Sequence, residues 1–75
     1  MGKLPRVTGK EMVRFLERQG FSCVRIRGSH HFFDRDGTHT TVPVHGNQPL
    51  RIGTLRSILR DVNLSPNEFE QLFRT

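Results

Sequence analysis

Apolar residues recur at helical spacing towards both ends of the chain and alternate with polar residues in its middle. Near the N-terminus, Met12, Phe15 and Leu16, with Val13 beside them, form a stripe at three- and four-residue steps. Lys10, Arg14 and Arg18 follow one another at four-residue steps on the opposite side, with Glu17 among them. Thr8-Gly9-Lys10-Glu11 has the form of a capping box, with Thr8 as N-cap and Glu11 at the third helical position. Gly20 is a natural helix stop, and Phe21 can fold back on the last turn. These signals predict a helix over roughly 9–19.

The middle of the chain reads as three short strands. Val24 and Ile26 alternate with Arg25 and Arg27, which predicts a strand over about 22–27. Gly28-Ser29 turns the chain into a second strand at about 30–34. Asp34-Arg35-Asp36-Gly37 is a hairpin signal in which Gly37 supplies a positive φ. A third strand follows at about 39–44, with Val42 and Val44 on one face and Thr41 on the other. Pro43 has no amide to donate, so this strand should lie at an edge or meet a bulge. Connections this short imply an antiparallel meander.

Helical spacing returns after the loop His45-Gly46-Asn47-Gln48-Pro49. Leu55, Ile58, Leu59 and Val62 predict an amphipathic helix of roughly 50–61. Ser65-Pro66-Asn67-Glu68 is a second capping signature, and Phe69, Leu72 and Phe73 give a short third stripe. The expected fold is α+β: a three-stranded antiparallel sheet with helices on one face, in the order α-β-β-β-α, plus a short C-terminal helix.

Composition sharpens this picture. Seventy-five residues are expected to make one domain, 1–75, with a small core. The lone Cys23 cannot form an internal disulfide and reads as a small buried hydrophobe. No apolar run approaches a membrane span and no signal-peptide core opens the chain, so a soluble cytoplasmic protein is expected. The formal net charge is +5, and all of it lies in residues 1–35, including the basic stretch Met1–Val7. One basic face is therefore expected, which attracts polyanions through counterion release. A merely solvating role is the plainer reading of that charge.

The candidate chemistry centres on histidine, the one side chain whose unperturbed pKa lies near neutrality. Four are present, at 30, 31, 39 and 45. In the second strand His30 and Phe32 share one face, while His31 and Phe33 share the other. Each face pairs an imidazole with an aromatic ring, so position alone leaves open which histidine is buried. The Gly28-Ser29 turn puts His30 at the strand mouth, where Arg27 and backbone amides can meet a phosphate. Adjacent strand residues point apart, and Cys23 belongs to another strand, so no metal or other cofactor is expected. Gly53-Thr54, at the start of the second long helix, either shapes its first turn or offers amides to a phosphate.

Four segments in order carry a family resemblance. They are Gly20-Phe21, Arg27-Gly28-Ser29-His30-His31, Val42-Pro43-Val44-His45-Gly46 and Gly53-Thr54-Leu55-Arg56-Ser57-Ile58-Leu59. In order and spacing the chain resembles the HicA toxins of HicA–HicB toxin–antitoxin pairs, also called YcfA-like, from about Thr8 to Phe73. The capped helix after Leu64 is a departure, in a tail that varies within the family. The resemblance implies a fold like the double-stranded-RNA-binding domain. It also implies a ribonuclease that cleaves messenger RNA without the ribosome, and a HicB-like antitoxin that covers the site. The family's catalytic histidine follows Gly-Ser directly, which is His30 here. Lys10, Arg27, Gly28, Ser29, His31 and His45 are then supporting or RNA-binding candidates, with His31 and His45 the candidates for protonating the leaving oxygen. The free toxin is expected to be a monomer. A non-catalytic RNA-binding module on the same fold is the alternative, and an interaction domain without RNA the third.

Overall fold

Thr8 begins the first helix in the way its sequence requires. In this computed structural model, which describes residues 4–75, its hydroxyl accepts from the Glu11 amide at 3.1 Å and its own amide donates to Glu11 Oε1 at 2.9 Å. The helix, α1, spans Gly9–Arg18. It ends in a Schellman motif, with Gly20 at φ 91, the Gly20 amide bonded to the Glu17 carbonyl and the Phe21 amide to that of Leu16. Phe21 is thereby returned to the core. Met1 to Lys3, part of the basic N-terminal stretch, lie outside the described residues.

Strands β1 (Ser22–Arg27), β2 (His30–Arg35) and β3 (Thr38–Pro43) follow as the expected antiparallel meander, in spatial order β1-β2-β3. The β2–β3 turn has positive φ at both Asp36 and Gly37, the signature of a type I′ hairpin. β3 is an edge strand with Pro43 as its last residue, where a missing amide costs no ladder bond. Val44 falls just beyond the strand and packs against the core from there.

Helix α2 covers Ile52–Asp61, starting two residues later than the periodicity suggests. It ends as α1 does, with Asn63 at φ 60 in the place of glycine and the Leu64 amide bonded to the Leu59 carbonyl. Helix α3, Pro66–Arg74, carries a second complete capping box between Ser65 and Glu68. Hydrogen bonding from Ser65, through its backbone first and its side chain second, holds the Glu68 carboxyl below its usual range.

All helices serve one core. Met12, Phe15 and Leu16 of α1 meet Leu55, Ile58 and Leu59 of α2, together with Phe33 and Val42 from the sheet. Thr40, the one buried polar residue of that face, donates to Asp61 Oδ2 at 3.0 Å. Phe33, Thr40 and Val42 thus mark the covered side of the sheet. Because side chains alternate along a strand, the register assigns His30, Phe32 and Asp34 of β2 to the opposite, helix-free side. The architecture is therefore α+β in the order α-β-β-β-α-α, with an open three-stranded sheet.

Helix α3 is fixed by aromatic packing. Phe69 is fully buried and meets Phe15 edge-on at 4.9 Å, while Phe73 stacks on Phe69 at 5.1 Å. Phe69→Ala should destabilise the protein by about 3–5 kcal/mol, as expected for deleting a fully enclosed ring. Urea denaturation of the two proteins measures this, and a loss below about 1 kcal/mol would mean that α3 is not part of the cooperative unit.

Candidate active site

The Gly28-Ser29 turn determines where the site lies. Gly28 has φ 57 and Ser29 does not enter the left-handed region, as in a type II′ hairpin turn. A Cβ on Gly28 would meet nothing within 4 Å, so glycine is needed there for its backbone conformation and not for space. The turn brings Arg27 directly opposite His30 across the β1–β2 ladder. The Val44 amide donates to the Ser29 carbonyl at 2.8 Å, which ties the turn to the chain leaving β3.

The two adjacent histidines have different surroundings. His30 is exposed on the helix-free face, opposite Arg27 on one side and Pro43 on the other. His31 points to the covered side, half-buried, opposite Ile26 and Val42. The burial of Phe33, two residues from His31, settles the question that alternation alone leaves open.

Several singled-out residues converge on this end of the molecule. A Cβ on Gly9 would lie 2.5 Å from the Pro43 carbonyl oxygen and 2.9 Å from Val44 Cα, so the start of α1 rests directly on the end of β3. Lys10 follows and is exposed. His45, also exposed, comes next after Val44 and lines a cleft of about 450 Å³ with Pro43, Gln48, Arg51 and Thr54. The Arg27–His30 turn and, through the contact of Gly9 with Pro43 and Val44, the chain at Lys10 and His45 thus lie at one end of the molecule, while His31 is close in sequence but faces the other way. None of His30, Arg27 and Lys10 lines the His45 cleft.

The start of α2 opens onto the same cleft. Its N-cap, Arg51, makes no side-chain capping bond, and its first turn contains no acidic residue. The first amides of a helix lack intrahelical partners and carry the positive end of its dipole. Alongside Arg51 and Thr54 they give the cleft a positive character suited to an anion. The α1 terminus differs, since Glu11 already supplies a carboxylate there.

The remaining candidates lie elsewhere. His39 Nδ1 is 3.0 Å from Asp34 Oδ1, at the far end of the open face from His30. That oxygen is shut off from solvent, and His39 Nδ1 is the polar atom beside it. Cys23 is exposed and not buried as its residue type suggested. A register shift between Cys23 and Arg25 leaves Val24 as an unpaired extra residue, and no helix covers this part of β1. Among the described residues, no three His, Cys, Asp or Glu side chains come together as a metal site would require.

Sequence reasoning missed Arg51 and Arg25. Arg51 could have been noticed from Pro49-Leu50-Arg51, which offers no Ser, Thr, Asp or Asn to cap the helix that follows. Arg25 alternates with Arg27 in β1 and sits opposite Phe32 on the face that carries His30. The sheet face offers a solvent-accessible imidazole with guanidinium groups on the neighbouring strand, and the cleft beside His45 offers an uncapped helix start, groups able to meet a phosphodiester.

No helix among the described residues is long and apolar enough to cross a membrane. No individually curated protein matches the sequence. Residues 9–64 match the family described as "HicA toxin of bacterial toxin-antitoxin", a segment that opens with α1, contains the whole sheet and α2, and stops before α3. With most of its length matched, and with the helix–meander–helix unit inside the match, the chain belongs to the HicA toxin family of bacterial toxin–antitoxin systems.

Proposed function

We propose that this toxin is a metal-independent endoribonuclease acting on messenger RNA, with His30 as general base. The observation that carries the reading is the exposed His30 directly opposite Arg27 on the helix-free face of the sheet. RNA brings its own nucleophile. His30 takes the proton of a ribose 2′-hydroxyl, whose oxygen attacks the adjacent phosphorus. The O2′–P bond forms and the P–O5′ bond breaks, giving a 2′,3′-cyclic phosphate and a 5′-hydroxyl. The departing 5′-oxygen must gain a proton, and His45 suits that role better than the half-buried His31, being exposed at the same end. Arg27 and Lys10 stabilise the charge gathering on the phosphate oxygens.

His30→Ala should slow cleavage by about 10²–10⁴-fold, the usual contribution of a positioned general base. The fold and the RNA affinity should change little, because the side chain is exposed. Incubating purified wild-type and variant protein with messenger RNA measures this, and a variant that cuts at the wild-type rate removes His30 from the mechanism. Wild-type protein that binds RNA and never cuts it would favour a non-catalytic RNA-binding module.

Cleavage should persist in EDTA, since the described residues offer no three-ligand cluster for a divalent ion. The products should end in 2′,3′-cyclic phosphates or the 3′-phosphates derived from them. Activity abolished by chelator and restored by Mg²⁺ would replace the His30 route with a metal-assisted one.

A toxin of this kind requires restraint by its antitoxin. A HicB-like protein is proposed to bury His30 and Arg27 with an acidic or phosphate-mimicking surface, in an interface of about 1,200–2,000 Å² or more in total. Co-expression with the product of the neighbouring gene, followed by footprinting of the complex, should protect both residues. Protection confined to the α1–α2 side would mean indirect inhibition.

A further inference from the structure

The helix-free face carries more than His30. Phe32 lies at its centre, half-buried, two residues along β2 from His30. Its neighbours across the ladders are Arg25 on β1 and Thr41 on β3, just as Arg27 and Pro43 flank His30. An aromatic ring and an imidazole thus stand in line on the middle strand, with two arginines along one side. Among the described residues of the three strands, the carboxylate on this face is that of Asp34, which has His39 Nδ1 3.0 Å away and lies at the end away from His30. Among the described residues, the helices pack on the opposite face, which leaves this one without a helix over it.

We propose that this face is a stacking platform for single-stranded RNA, with Phe32 receiving the face of an unpaired base while the adjoining phosphodiester lies between His30 and Arg27. The choice of RNA rests on the ribonuclease reading, and the single-strandedness rests on the geometry. A base whose face lies on the Phe32 ring must have that face free of its neighbour, which stacking within a duplex does not permit. A flat or gently twisted sheet with a central ring also suits exposed base faces, whereas a duplex shows its bases only at groove edges. Arg25 and Arg27 supply the charge complementarity for the backbone beside the ring. The bases are recognised by their π-faces, so the platform itself tolerates any sequence.

The test uses the full chain and a single-stranded 2′-O-methyl RNA oligonucleotide, which has no free 2′-hydroxyl and is not cut by the proposed chemistry. The same oligonucleotide annealed to its complement is the duplex control. Phe32→Leu keeps an apolar side chain at the site and should weaken single-strand binding about tenfold, with a circular dichroism spectrum unchanged from wild type. Phe32→Trp should restore binding. Because the chain contains no tryptophan, the indole emission of that variant reports on position 32 alone, and stacking should quench it with the single strand and not with the duplex. Binding by Phe32→Leu within twofold of wild type, equal binding of duplex, or oligonucleotide bound without quenching would each overturn the proposal. So would emission altered only by an antitoxin, which would make the face a protein interface. Cleavage of unmodified RNA by wild type, measured alongside, keeps the two readings apart. Cutting with no role for Phe32 leaves the ribonuclease and removes the platform, and quenching without cutting does the reverse.

Discussion

The contact of α1 with the end of β3 is the constraint on which the site depends. Gly9 meets the backbone at Pro43 and Val44 with no room for a Cβ, and the same stretch of chain donates the Val44 amide to the Ser29 carbonyl. Three segments far apart in sequence are thereby locked together through main-chain atoms: the first turn of α1, the β1–β2 turn and the exit from β3. Main-chain contacts hold position more tightly than long side chains do, because few rotamers have to be frozen to form them. Lys10, His30 and His45 inherit their relative placement from this junction, and none has to be buried to be positioned. Such a candidate site stays open to solvent and still has a defined geometry.

The core beneath that junction is small and relies on aromatic rings. Phe15 meets both Phe69 and Phe73, so the first helix and the last are joined through one residue. Arg35 adds a second link between sheet and helix, with its guanidinium 4.5 Å from the centre of the Phe21 ring and a bond of 2.6 Å to the Gln19 carbonyl at the end of α1. The matched family segment ends at residue 64, so Phe69 and Phe73 complete a core whose other members all lie within or just before that segment. The tail is therefore part of the packing and not an appendage to it.

Much of the fold was legible because local signals agreed with one another. Two capping boxes, a Gly20 stop, alternating Val24 and Ile26, and an Asp36-Gly37 turn each specify one conformation. The start of α2 was harder to read, since no cap residue marks it and Arg51 takes the place. Cys23 was misjudged for a different reason, since its residue type favours burial. Alternation predicts which residues share a face, but not whether a helix reaches far enough across the sheet to cover them. Here it does not, and β1 is exposed throughout. The site was legible to the same extent. The Gly28-Ser29 turn and the pairing of Arg27 with His30 are local and could be read directly, whereas the approach of Lys10 and the cleft at His45 depend on a contact between segments more than thirty residues apart.

The bulge at Val24 has a consequence of its own. β1 is the outer strand on its side of the sheet, with Val24 and Ile26 each about 60% exposed. A long regular edge of this kind invites identical copies to pair edge to edge and grow into aggregates. The extra residue breaks the even spacing of amides and carbonyls, and Arg25 and Arg27 set like charges against any second copy that approached in register. The edge that two free copies would share is thus broken and like-charged before any antitoxin covers it, so the protection is written into the strand itself and not borrowed from the partner.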